Sequence, residues 1–358
     1  MKNDIFPKYF LAANACGGFY SEFNNSYSAA EGWKAYIIKG GPGTGKSSLM
    51  KKAAAKAIEK GLPIELFPCS SDPSSLDGVA FPTKKVIFLD GTAPHIIEPK
   101  YPAVCEQIVN TGDFWNDGLL RGREKDLMEL TDINKAYHKK ASQYITAAGQ
   151  IAKYNYGVSL TATDIDKTYN FGFKLAKTHI PKKSVGGSES VRFLNGYTPE
   201  GFVFFGDTIN LVTKHQIVIS DKYGAVSSII FSAIRDYAKQ CGYKIITIKN
   251  SLLPEDITDH IIIPELSLAF CRESNEMPII NKERRIHARR FTSADIISKN
   301  RQKLSFNRRI VKELLIKATE NLKAAKAIHD QMERYYIDIM DFEALDKYTE
   351  KIITKLFP

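Results

Sequence analysis

The sequence predicts an α/β fold made of two three-layer units in tandem, each followed by a long helix. Three observations predict it. A glycine-rich loop lies between an apolar strand and an alanine-rich helix, its surroundings return in the second half of the chain, and a long apolar stripe at helical spacing follows each copy.

Gly40-Gly41-Pro42-Gly43-Thr44-Gly45-Lys46-Ser47 fits G-x-x-x-x-G-K-[ST], the phosphate-cradling loop of P-loop nucleoside triphosphatases. Glycines at 40, 41, 43 and 45 let successive amides turn inward and form a concave anion nest. Lys46 is expected to reach the β- and γ-phosphates and Ser47 to offer its hydroxyl to Mg²⁺, with Ser48 counted among the nucleotide-binding residues; the helix that follows aims its positive end at the same place. Trp33 to Ile38 reads as a buried strand, and Lys46 to Lys60, with four alanines and Gly61 beyond, reads as a helix with a C-terminal stop.

The repeat is read from order rather than identity. Phe10-Leu11 and Gly18-Phe19 match Phe193-Leu194 and Gly201-Phe202; Ile38, Gly43, Ser47, Gly61 and Pro73 then meet Ile219, Gly224, Ser228, Gly242 and Pro254, and Asp77 and Phe88 meet Asp259 and Phe270. Each copy reads strand, turn, helix, strand, loop, strand, the beginning of a P-loop NTPase-like three-layer α/β unit, so two such units in tandem are expected. The differences fall where chemistry would sit. Gly40, Gly41, Gly45 and Lys46 become Asp221, Lys222, Val226 and Ser227, and Asp90 faces Arg272, or Cys271 if the last insertion is left out. A carboxylate at 221 opposes phosphate and Val226 restricts the turn, so the second copy is expected not to bind nucleotide.

Asp90 ends the apolar run Val86-Ile87-Phe88-Leu89 and is the Walker B candidate, placed to hold Mg²⁺ opposite Ser47. Gly91 follows it, where many ATPases carry a water-activating glutamate. Asp72, Asp77, His95 and Glu98 are read as loop residues near this strand and as the candidates to polarise water; Thr92-Ala93-Pro94-His95 stands where a γ-phosphate sensor would.

The stripes Leu130, Ile133, Tyr137, Ala141, Tyr144, Ala148, Ile151 and Val311, Leu315, Ala318, Leu322, Ala325 predict long helices that pack with each other or on the sheets, with a protein-binding coiled coil as the alternative. Residues 181–192, rich in Gly, Ser and Lys, read as a linker. The expected division is therefore 1–180 for the nucleotide-binding domain with its helical segment and 193–358 for the degenerate domain with its C-terminal helix.

Composition bounds the rest. With 358 residues, 44% apolar and 25% charged, the chain suits two globular domains. No apolar segment follows Met1–Lys8 and none approaches a bilayer span, so a cytoplasmic protein with no membrane segment is expected. Five scattered cysteines without a C-x-x-C pair read as reduced packing residues. The net charge of +10 suits an acidic ligand. Its densest part, from Lys282 through Arg289 and Arg301 to Lys312, is read as solvated surface in preference to a nucleic acid site, because no aromatic reading motif is interleaved.

The glycine loop, Ser70-Ser71-Asp72-Pro73-Ser74-Ser75-Leu76-Asp77-Gly78, Asp90-Gly91-Thr92-Ala93-Pro94-His95 and Glu98-Pro99-Lys100-Tyr101-Pro102, in this order, resemble a sparsely characterised bacterial family of tandem P-loop ATPases, over nearly the whole chain. Members of that family commonly carry competent loops in both halves; here Ile286-His287-Ala288-Arg289-Arg290 is only a shadow of the second block. The resemblance implies ATP binding and Mg²⁺-dependent hydrolysis through Gly40 to Ser47 and Asp90. Slow basal turnover is expected from the missing glutamate. A kinase for a small acceptor, with residues 72–82 as a lid, and a nonhydrolytic nucleotide-gated scaffold are the other readings.

Overall fold

The computed structural model describes residues 6–184, 186–280 and 283–358. Val185 of the expected linker, Lys282 of the basic stretch and the first five residues lie outside the described residues.

A hairpin opens the described chain, β1 (Ala12–Ala15) and β2 (Gly18–Ser21). Next come β3 (Lys34–Lys39), α1 (Lys46–Glu59), β4 (Glu65–Pro68), β5 (Leu76–Phe81), β6 (Val86–Asp90) and β7 (Glu106–Asn110). Two helices follow, α2 (Glu124–Thr161) and α3 (Ile165–His179). The pattern then begins again with β8 (Glu189–Arg192), the hairpin β9 (Asn195–Thr198) and β10 (Gly201–Phe204), and α4 (Asp207–Val212). It continues through β11 (His215–Ser220), α5 (Ala225–Gln240), β12 (Ile245–Lys249), β13 (Thr258–Ile263), β14 (Leu268–Glu273) and β15 (Arg284–His287). It ends with α6 (Ala294–Lys299), α7 (Arg301–Ile337) and α8 (Phe342–Leu356). The class is mixed α/β, and the last four residues of the expected linker are strand β8, paired with β12.

The two large sheets have the same design. One runs β4-β5-β6-β3-β7 and the other β8-β12-β13-β14-β11-β15. In each, the strand before the loop pairs in parallel with both neighbours, and one antiparallel strand, β5 or β13, is inserted. Ile38 stands opposite Asp90, and Ile219 opposite Arg272, so the sheet register makes Arg272 the counterpart of Asp90. The small hairpins agree: the equivalent residues Phe10 and Phe193 bridge each other, with amide-to-carbonyl distances of 2.8 and 3.0 Å.

The chain forms two compact units, but they are not its two sequence halves. One comprises residues 1–22, 142–197 and 201–318; the other 23–141, 198–200 and 319–358. Two of the boundaries cut the long helices, between 141 and 142 in α2 and between 318 and 319 in α7. Each sheet is consequently finished by a helix that belongs, in sequence, to the other half. α3, which trails the first sheet, packs on α5 of the second, and α8, which trails the second, packs on α1 of the first. Both exchanged helices start on an aspartate cap: Asp164 accepts from the Lys167 amide and Asp341 from the Ala344 amide. Phe357 beyond α8 meets Phe81 edge-on at 5.0 Å, and Phe81 in turn meets Phe88 of the sheet. Nothing local in 1–180 or 193–358 signals this exchange, because an amphipathic pattern marks a face for burial without naming its partner.

The long helices do pack on each other, as their stripes predict. In one unit Asn134 donates to the Ala325 carbonyl at 2.7 Å; in the other Asn307 donates to the Asn155 amide oxygen at 2.9 Å. No described helix is long and apolar enough to cross a membrane.

His260 on β13 is fully buried, and neither ring nitrogen has a hydrogen-bond partner among the described residues. Burial, outweighing the opposing pull of Asp259, lowers its pKa from 6.5 to about 4. The unfolded chain therefore binds the proton that the folded one refuses. Stability is full above pH 6.5 and falls as the pH drops from there towards 4, by at most about 1.4 kcal/mol per pH unit. Thermal melts across that range are expected to show the decline, with a shallower slope in His260→Phe.

Candidate functional site

The loop between β3 and α1 opens into a cavity of about 400 Å³, and every residue from Pro42 to Ser48 lines it. Its shape rests on two glycines. A Cβ on Gly40 would lie 1.8 Å from the Thr111 hydroxyl, which sits 3.0 Å from the Lys39 carbonyl and 2.8 Å from the Thr44 hydroxyl. Gly43 has φ of +68°, and a Cβ there would meet the Glu333 carbonyl of α7 at 2.8 Å. Gly40→Ala is expected to cost about 1–3 kcal/mol through overpacking. Removing the obstructing hydroxyl in Gly40→Ala/Thr111→Ala is expected to recover part of it, a coupling that a double-mutant cycle of unfolding midpoints measures.

Among the described residues no protein oxygen accepts from the amides of Gly43, Thr44, Gly45, Lys46 and Ser47. A helix start leaves such donors to an outside partner. Lys46 Nζ donates to the carbonyls of Gly40 at 2.9 Å and Gly41 at 2.7 Å and stands 3.7 Å from Asp90 Oδ2. The other oxygen of Asp90 accepts from the amide (2.9 Å) and hydroxyl (2.5 Å) of Thr92, which fixes the carboxylate at the strand end. Ser47 Oγ accepts from the Leu76 amide at 2.9 Å, so its own proton remains available. Lys46, Ser47 and Asp90 all line the cavity. Free amides, one ammonium, one hydroxyl and one carboxylate thus converge there, a set able to receive a polyanion together with a hard cation.

Asp72 and Asp77 also line the cavity. Asp77 lies on strand β5, not in a loop as its position suggested, because the chain turns extended at Leu76 to pair with β4 and β6. His95 does not line the cavity. It is buried behind Asp77, its Nε2 3.3 Å from Asp77 Oδ2 and its ring stacked on Phe23 at 4.3 Å. Glu98 is drawn to Lys39 at 2.7 Å, on the exposed side.

The far wall comes from elements the sequence marked only for packing. His138 of α2 and Lys326, His329 and Glu333 of α7 line the same cavity. Residues 326, 329 and 333 share one helix face, and that polar spacing within an apolar stripe was the available signal. Burial, with the charge of His329 adding to it, holds His138 below its ordinary value. Cys69 is a cavity residue too, and burial followed by the Asp77 carboxylate pushes its thiol well up.

The second copy closes the equivalent place with its own charges. Asp221 Oδ2 accepts from the Ser227 amide at 2.8 Å and hydroxyl at 3.1 Å, and Oδ1 from the Tyr223 amide at 3.2 Å. A side-chain carboxylate thus occupies donors at a helix start that are vacant in the first copy. Arg272 binds Asp259 through Nε at 2.8 Å and Nη2 at 2.5 Å, and reaches the Asp221 carbonyl. Asp221, Asp259 and Arg272 are all buried.

The chain is a mixed α/β protein with one five-stranded and one six-stranded sheet that share a five-strand order; the loop beside the first opens into a cavity, and the loop beside the second has its amides bound by the Asp221 carboxylate. Comparison of this chain with family models, with curated proteins and with solved structures finds no match.

Proposed function

We propose that the protein binds ATP with Mg²⁺ at the Gly40–Ser47 loop and hydrolyses it slowly, as a P-loop nucleoside triphosphatase with a degenerate second copy. One observation carries this reading: the loop amides lack protein acceptors while Lys46, Ser47 and Asp90 meet at the cavity they face. The donor set fits the cation, since a hydroxyl oxygen that keeps a second lone pair and a fixed carboxylate are the hard oxygen ligands Mg²⁺ prefers. Mg²⁺ held by Ser47 and Asp90 would neutralise phosphate charge as the bond to the γ-phosphate breaks. The chain's own part is to hold the phosphates with its amides and to place Lys46 against the β- and γ-phosphates. Gly91 after Asp90 offers no base, and Asp77 is the carboxylate on the adjacent strand that also faces the cavity.

Calorimetry with Mg²⁺ and a nonhydrolysable ATP analogue tests the reading; one site per chain is expected. Two equivalent sites, or no uptake by folded protein, would end it. Phosphoryl transfer to a small anionic acceptor is the second reading, favoured by Lys51 and Lys326, which add positive charge to the same cavity. An acceptor that raises ADP release and emerges phosphorylated would establish it.

A further inference from the structure

Beside the phosphate loop, three side chains from separate segments meet. Cys69 Sγ, a carboxylate oxygen of Asp77 and a ring nitrogen of His95 all lie within 4.8 Å of one another. Asp77 and His95 are buried and Cys69 is partly so. The Phe23 ring holds the imidazole plane, and the Ser71 amide lies 3.4 Å from the sulfur. Tetrahedral zinc, with bonds of about 2.0–2.3 Å, separates such donors by about 3.3–3.6 Å. Asp77 and His95 already stand at 3.3 Å.

The repeat supplies a second, independent observation. Asp259, the counterpart of Asp77, is a buried carboxylate that the protein compensates in full: the Arg272 guanidinium binds it, and Asn195 and Asn250 donate to it at 2.9 and 3.1 Å. Asn250 holds the position of Cys69 and Arg272 that of Asp90. In the first copy the guanidinium is gone, with the carboxylate of Asp90 at its position, the Asn250 amide gives way to the Cys69 thiol, and the His95 imidazole lies against the carboxylate; thiol and imidazole are metal ligands rather than dedicated donors. A carboxylate in this place therefore keeps its need for positive charge while its surroundings change to soft and borderline ligands.

We propose that Cys69, Asp77 and His95 bind a transition-metal cation of the zinc type. Sulfur, nitrogen and oxygen ligands together select zinc over magnesium or calcium. Cys69 and Asp77 both line the cavity, so a fourth position opens towards it. The site does not depend on nucleotide binding and is tested without nucleotide.

Full-length protein titrated with Co²⁺ is expected to develop a thiolate-to-cobalt charge-transfer absorption that saturates at one metal per chain and that Zn²⁺ abolishes. The band is expected to be lost in Cys69→Ser and in His95→Gln. Absence of the band in folded wild-type protein overturns the proposal, as does a band of equal size in Cys69→Ser. Cobalt uptake with no thiolate band also overturns it, placing the metal at a group such as His329, Asp330 and Glu333. X-ray absorption of the zinc-loaded wild type needs no substitution. A sulfur scatterer in its first shell supports the site, and a shell of nitrogen and oxygen alone rejects it.

Discussion

Lys46→Ala is expected to lower ATP turnover by about 10²–10³-fold, the scale on which one preorganised charge at a developing anion acts. Lys46 is only 14% exposed, and its ammonium is held by two loop carbonyls with Asp90 at 3.7 Å, so it is positioned before any ligand arrives. Alanine removes the charge and leaves those carbonyls without their donor, while the glycine-built loop stays. The variant should therefore fold with a near-native melting temperature and lose turnover together with affinity for the triphosphate. Steady-state phosphate release and calorimetry on one preparation separate the two effects. Turnover at the wild-type rate would remove this site from the chemistry.

The second large effect falls in the other unit and concerns stability alone. Arg272→Ala strands Asp259, which is fully buried, and also withdraws a donor from the Asp221 carbonyl. Breaking a buried pair from one side costs about 3–5 kcal/mol, because the remaining charge is left without compensation. Removing both charges in Arg272→Met/Asp259→Asn is expected to restore most of that, since an apolar chain and a neutral amide need no counter-charge. Denaturant midpoints of the three proteins check both statements. Equal loss in the single and double variants would show that packing, and not charge, sets the value.

These two residues also mark how far the sequence could be read. Gly40–Ser47 announced its strand, turn and helix because backbone freedom at a few glycines is a local property, and β3 and α1 stand within a residue of their expected bounds. The loss of Asp90 in the second half was legible as well, with Arg272 or Cys271 in its place, and the sheet register decides for Arg272. What could not be read was the purpose of Arg272: a lone arginine in an apolar run shows only that something compensates it. Asp259 does so from an adjacent strand, thirteen residues away in sequence. The same limit applied to His95, read as a residue near the phosphate site and found behind Asp77, and to Cys69, read as packing.

Sequence alone determined the α/β class, the glycine loop with its flanking strand and helix, and the two long helices. Those are carried by periodicity and by backbone permissiveness, which act over a few residues. Only the tertiary structure decided that α3 and α8 finish each other's sheets, that the cavity takes its far wall from α2 and α7, and that Cys69, Asp77 and His95 meet. An amphipathic helix states that it will bury a face, but the partner is chosen by shape and connection across hundreds of residues.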